Sequence, residues 1–140
     1  MLIGSQTNTL DSKNRVFVPA AFRADLGDRF ILNLGTDTRS LYIFPLDAWQ
    51  TFQEKLLSIK ANKNDFDQIR RYYTHMASLC EPDSQGRIVI PQVLRESAGI
   101  TKEVLFIGTI TGIEVWSPDR LVMPGAEEIA SKLEELDIIF

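Results

Sequence analysis

A chain of 140 residues with 44% apolar and 24% charged residues has the composition of a folded protein with a real core, which excludes a disordered or fibrous one. Its formal charge of −4 argues at first against a nucleic-acid partner, but residues 1–80 carry ten Lys/Arg against eight Asp/Glu and residues 81–140 five against eleven, so the acidity belongs to the second half. One cysteine, Cys80, excludes an internal disulfide framework.

The chain begins MLIGSQTNT, too short an apolar stretch and without the basic flank of a signal peptide, and no later apolar run approaches the ~20 residues of a membrane span. The expectation is a soluble, cytoplasmic protein. Residues 11–23, DSKNRVFVPAAFR, read as a polar Asp-Ser turn, a short strand and a proline that stops the strand and opens one or two helical turns. Alternation along that strand puts Val16 and Val18 on one face and Arg15 and Phe17 on the other. Gly27 stands where a helix C-terminus needs a left-handed residue. RFILNL and LYIFP, joined by GTDTRS, form a hairpin.

PLDAWQTFQEKLLSIK follows as a helix, with Asp47 and Gln50 spaced as a capping box and Trp49, Phe52, Leu56 and Ile59 at helical spacing. A second helix over about residues 65–79 aligns Phe66, Ile69, Tyr73 and Met76. Residues 83–95, DSQGRIVIPQVLR, restart the first pattern, followed by Gly99 and a hairpin of VLFIG and IEVW around TITG. Pro118 and Pro124 break the stretch before a last helix over about residues 126–136, expected to bury Ile129, Leu133 and Leu136 and to turn Glu127, Glu128, Glu134 and Glu135 outward.

The restart is an internal repeat. Asp11/Asp83, Ser12/Ser84, Arg15/Arg87, Pro19/Pro91, Arg23/Arg95 and Gly27/Gly99 match without a gap at an offset of 72, and Val16/Ile88, Val18/Ile90 and Phe22/Leu94 exchange like for like. One unit of about 45 residues could hardly bury its own hydrophobic face, so the two copies are expected to complete one core together. No Gly/Ser-rich linker separates them.

A D-x-x-x-R motif running into a strand that ends in proline, repeated halfway along the chain after an N-terminal strand, resembles the MraZ family, bacterial transcription regulators of the SpoVT/AbrB-like, swapped-hairpin class. The resemblance implies an α+β fold in which two AbrB-like repeats form one pseudo-symmetric β-barrel with connecting and C-terminal helices. Its divisions here are residues 5–47 for the DNA-facing first repeat, 48–75 for a helical connection, 76–119 for the second repeat and 120–140 for the C-terminal helical segment. The resemblance also implies a ring-shaped homo-oligomer that binds short direct repeats of double-stranded DNA upstream of the division and cell-wall gene cluster. That implies a nucleoid location, no membrane or small-molecule partner, no enzymatic activity and no cofactor. Asn14 stands where the family, like Gly86 in the second copy, has glycine; asparagine tolerates positive φ, so the turn should survive.

Among individual residues, Ser12, Lys13, Asn14 and Arg15 are the DNA candidates, Arg15 first, because a guanidinium pairs bidentately with guanine or clamps a phosphate. Asp11 is expected to orient Arg15. Asp83 and Arg87 are expected to pair in a structural role, since Gln85 replaces Lys13 and the surroundings turn acidic. Arg23 and Arg95 read as structural, Cys80 as a buried apolar group, His75 as a solvated or packed side chain, and Tyr42, Phe44, Trp49 and Trp116 as core. Too few N/S ligands exist for a metal centre, and no base stands at usable spacing from Cys80. The other function considered is an antitoxin-like protein-binding module in which the acidic tail grips a basic partner.

Overall fold

The computed structural model describes residues 1–138 and 140. The first copy supplies β1 (Ser5–Thr9), β2 (Arg15–Phe17), α1 (Ala20–Leu26), β3 (Phe30–Leu34) and β4 (Leu41–Pro45). Two helices follow, α2 (Leu46–Leu57) and α3 (Lys63–His75). The second copy supplies β5 (Ser78–Cys80), β6 (Arg87–Val89), α4 (Gln92–Ser97), β7 (Glu103–Gly108) and β8 (Ile113–Trp116), and the chain ends with α5 (Ala126–Glu135). The protein is a mixed α+β structure with antiparallel sheets, and both expected hairpins, β3–β4 and β7–β8, are formed.

The copies do not fold side by side; they exchange strands. The larger sheet has the order β1-β7-β8-β4-β3-β5, so the first strand of each copy lies on the hairpin of the other. The second strands pair with each other as a separate ribbon, β2–β6. Swapping the copies maps this order onto itself. Tyr42 faces Glu114 in the larger sheet and Val16 faces Ile88 in the ribbon, each residue opposite its own counterpart at the repeat offset, which places the pseudo-twofold axis. Among the described residues β1 and β5 are the edges of an open sheet, and the pairing does not close it into a barrel. Asn8 Nδ2 donates to the Phe17 carbonyl at 2.7 Å and so ties the ribbon to β1.

The core sits between the sheet, the ribbon and α1 and α4. Val16, Val18, Ile88 and Ile90 turn into it while Phe17 and Val89 face out, as alternation requires. The repeat continues in burial where identity fades: Leu32/Val104, Leu34/Phe106, Leu41/Ile113 and Ile43/Val115 are buried pairs at the same offset. Gly27 takes φ 74 and ψ −164, a region open essentially to glycine. Gly99 takes φ 66 and closes α4 with a Schellman pair, its N–H bonding the Glu96 carbonyl and that of Ile100 the Arg95 carbonyl.

Four sequence expectations are corrected. Asp47 forms no capping box: Pro45 occupies the N-cap position and no side chain caps the helix, so Asp47 lies inside the first turn, where its charge still suits the helix dipole. α3 begins earlier and ends earlier than expected, capped by Asn62, whose side chain accepts from Asp65 N; Leu79 belongs to β5, because pairing with β3 outweighs helical periodicity there. Tyr42, Phe44 and Trp49 are half-buried rather than core, and only Trp116 of the four is buried. They form a satellite cluster beneath α2 and α3, where Phe44 stacks on Phe52 at 5.3 Å and Phe52 meets Tyr73 edge-on at 5.7 Å. Buried Asn33 anchors it by donating from Nδ2 to the Tyr73 carbonyl at 2.8 Å. Last, α5 forms but buries none of its residues: Ile129 and Leu136 are exposed and Leu133 only half-buried.

Candidate nucleic-acid interface

Each D-x-x-x-R motif folds as one closed turn, and the carboxylate closes it. Asp11 Oδ1 accepts from the backbone N–H of Lys13 at 2.8 Å and of Arg15 at 2.9 Å, while Oδ2 accepts from Arg15 Nε at 2.7 Å. Asp83 repeats this with Gln85 N at 2.9 Å, Arg87 N at 2.9 Å and Arg87 Nε at 2.8 Å. The fourth residue of each turn needs a left-handed backbone, φ 60 at Asn14 and φ 84 at Gly86, so asparagine does keep the turn. The Arg15 N–H bond, with further help from its guanidinium and the Lys13 N–H, holds the Asp11 carboxyl below its ordinary pKa, and the Arg87 N–H does the same first for Asp83.

The turns also hold each other. Gly86 O accepts from Val18 N at 2.9 Å and Asn14 O from Ile90 N at 3.3 Å, so each turn is pinned by the strand end of the opposite copy. The Arg23 guanidinium occupies the space that a Cβ on Gly86 would fill. Glycine suits that position through its φ, while a Cβ would displace the flexible end of Arg23. Arg95, the counterpart of Arg23, has its Nε buried without a hydrogen-bond partner among the described residues.

Arg15 and Arg87 stand opposite Val89 and Phe17 in the ribbon, on its outer face. Their surroundings differ. Arg15 is 31% exposed, and its guanidinium bonds Asp11 through Nε. Arg87 is 20% exposed; its Nη1 reaches to 3.9 Å from Asp11 Oδ2 and its guanidinium lies over the Phe17 ring at 5.8 Å. Ser12 and Lys13 are exposed at the tip of the first turn, and Asn14 is half-buried with its carbonyl engaged. The structure thus brings Asp11, Ser12, Lys13, Asn14 and Arg15 onto one turn and sets Arg87 and Asp83 against it, beside a shallow depression of about 380 Å³ lined by Arg15, Asp83, Arg87 and Val89.

Phe17, 48% exposed on this face, is the residue that a reading of charges alone passes over; alternation had placed it beside Arg15. Cys80 is buried, and burial pushes its thiol up to about 11. His75 is exposed, its Nδ1 2.7 Å from the Arg71 carbonyl. Among the described residues no cluster of three His, Cys, Asp or Glu could hold a metal, and no helix is long and apolar enough to cross a membrane.

Two copies of one strand-helix-hairpin unit, trading strands inside a single chain and carrying an aspartate-locked arginine at each turn, define a swapped-hairpin protein. The family model described as "MraZ protein, putative antitoxin-like" matches residues 1–71 and 74–121. The chain is 41% identical to the transcriptional regulator MraZ of Caldanaerobacter subterraneus over 99% of its own length and all of that protein's. It is 42% identical to the protein of the same name from Thermoanaerobacter pseudethanolicus, again over 99% of this chain and 100% of the relative, and 37% identical to that from Lachnoclostridium phytofermentans over the whole of both. The chain belongs to the MraZ family.

Proposed function

We propose that this protein is a sequence-specific, DNA-binding transcriptional regulator that works as a homo-oligomer. The observation that carries the reading is the Arg15 guanidinium, held by Asp11 through Nε on an exposed turn that also bears Lys13. A guanidinium fixed along one edge keeps its fork for a guanine edge or a phosphate and gives up little rotamer entropy on binding. The names of the relatives support regulation of transcription as the use of that contact.

In this reading residues 5–47 face the DNA, with Ser12, Lys13, Asn14 and Arg15 in contact and Asp11 orienting Arg15. Asp83 and Arg87 brace the turn from the second copy, residues 76–119, while residues 48–75 connect the copies and residues 120–140 form the C-terminal segment. The sheet and the ribbon work as one pseudo-symmetric, flattened barrel. One turn gives weak affinity, so a ring presenting the turn repeatedly to short direct repeats gains avidity. The repeats lie upstream of the division and cell-wall gene cluster, and the protein works in the cytoplasm, at the nucleoid. The reaction is binding, without catalysis or cofactor.

Selection from a random duplex library on the purified protein tests this: repeated short motifs at regular spacing should be enriched, and no enrichment at any salt concentration would refute it. The description of the matched family and the exposed acidic α5 favour a second reading, an antitoxin-like module that binds a basic protein. Enrichment of no DNA, together with tight binding to a defined basic partner that requires α5, would select it.

A further inference from the structure

Helix α5 is capped at its C-terminus and leaves its apolar stripe largely uncovered. Ile129 is 42%, Leu136 69% and Ile138 54% exposed. The helix nevertheless ends in a complete Schellman cap: Asp137 takes φ 57, its N–H bonds the Glu134 carbonyl at 3.0 Å, and the Ile138 N–H bonds the Leu133 carbonyl at 2.9 Å. That cap folds Ile138 back toward Leu133, and both line one shallow concavity, so the stripe gains a residue beyond the helix. A ten-residue helix is marginal alone in water and draws its stability from packing. An aspartate held left-handed to complete an uncovered apolar stripe points to a packing surface outside its own fold.

The charges indicate which surface. Residues 126–140 carry five Asp/Glu against one Lys, a net −4. Residues 55–71, across the α2–α3 hairpin, carry five Lys/Arg against two Asp/Glu, a net +3. That hairpin also leaves apolar side chains in the open: Leu57 is 65%, Ile69 37% and Tyr72 48% exposed. At 1.5 Å per residue, ten-residue α5 spans about 15 Å and thirteen-residue α3 about 20 Å, so one can lie along the other.

We propose that α5 of one chain docks on the α2–α3 hairpin of a second copy, its apolar stripe on Leu57, Ile69 and Tyr72 and its glutamates against Arg70 and Arg71. This rests on the oligomeric reading above and names its interface. The contact joins two different surfaces of the same chain, so it runs head to tail and closes into a ring when the rotation per subunit permits. A single short helix buries less than the roughly 800 Å² per partner of a standard interface, so each contact is weak and ring closure supplies the stability.

Light scattering on the full chain at micromolar concentration, with melting curves as a folding control, tests the contact. Wild type should run as a multiple of 15.9 kDa. Leu133→Glu with Leu136→Glu should reduce it to the single-chain mass while the chain still unfolds in one cooperative transition, since neither side chain belongs to the core. Arg70→Glu with Arg71→Glu should do the same, as should Glu134→Arg with Glu135→Arg, and combining the two reversals should restore the assembly. A monomeric wild type would overturn both this interface and the oligomeric reading. An oligomeric wild type whose α5 variants keep its mass, or reversals that fail to rescue each other, would overturn the interface alone.

Discussion

Replacing Arg15 by alanine should remove DNA recognition while leaving the fold in place, and the structure sets the scale of both effects. The two backbone N–H groups that Asp11 Oδ1 accepts from are still present in the variant, so the turn keeps its closure. What disappears is one partly exposed ion pair, a class of interaction that contributes little, and the melting temperature should fall by less than about 4 °C. Binding is different. A bidentate arginine–guanine pair is worth about 1–3 kcal/mol, or roughly 5–150-fold, at each engaged turn, and the loss multiplies over engaged turns. Arg87→Ala should show the opposite balance. It removes the Asp83 pair, the reach to Asp11 and a cation–π interaction with Phe17 worth about 0.5–1 kcal/mol, so the melt drops visibly while affinity stays within about threefold. Fluorescence anisotropy on a selected duplex at several salt concentrations, with melting curves alongside, measures both. Lys13→Ala supplies the electrostatic reference, flattening the log–log salt slope by about 0.9 for each phosphate the protein no longer neutralises. If Arg87→Ala loses binding as fully as Arg15→Ala while its melt and particle size are unchanged, both copies read DNA and the assigned roles are wrong.

Asn14→Gly should leave the melt nearly unchanged, whereas Asn14→Val, a β-branched residue forced to φ 60, should cost about 1–2 kcal/mol or more in denaturant unfolding; equal stability of the two variants would show that the turn relaxes. Asp11 and Asp83 have pKa values lowered in the fold, so the stability they lend is present above the ordinary carboxylate value of about 3.9 and is lost as pH falls through the folded values. Asp11→Asn with Asp83→Asn should therefore lessen the decline of stability on acidification below about pH 4, seen as a shallower melting-temperature-against-pH curve there. Cys80, buried with its thiol pushed up to about 11, should resist iodoacetamide at pH 8 in the native protein and react once the chain is unfolded in denaturant; rapid native labelling would contradict its placement.

What could be read from the sequence was local. The Asp–Arg pairing followed from both residues recurring together, the hairpins from short loops between β runs, and the tolerance of Asn14 from its side chain. The alternation of Val16 and Val18 against Arg15 and Phe17 needed only the period of a strand. The exchange of strands was not legible, because nothing within SQTNT distinguishes a partner in its own copy from one on β7. The same long-range pairing took Leu79 out of a helix whose periodicity it matched. For α5 the periodicity yields a stripe but not its cover, and the cover is not in the same chain's core. In the site, the pairing of Arg87 with Asp83 was expected from the sequence; that its Nη1 also reaches toward Asp11 depends on the ribbon register, which sets Phe17 opposite Arg87.

The strand exchange also dictates when the protein can exist at all. Ser5 pairs with Ile107 and Phe17 with Arg87, so the earliest strands to be made wait for almost the last ones. At ~5–20 residues per second, the roughly hundred residues between β1 and its partner take about 5–20 s to synthesise. β3 waits for β5 at residues 78–80, β2 for β6 at residues 87–89 and β1 longest, for β7, and pairings so distant in sequence make the final closure slow. A ribosome that stalls before residue 103 leaves behind a chain in which β1 and the outer edge of β4 have no neighbour, because β7 and β8 are missing.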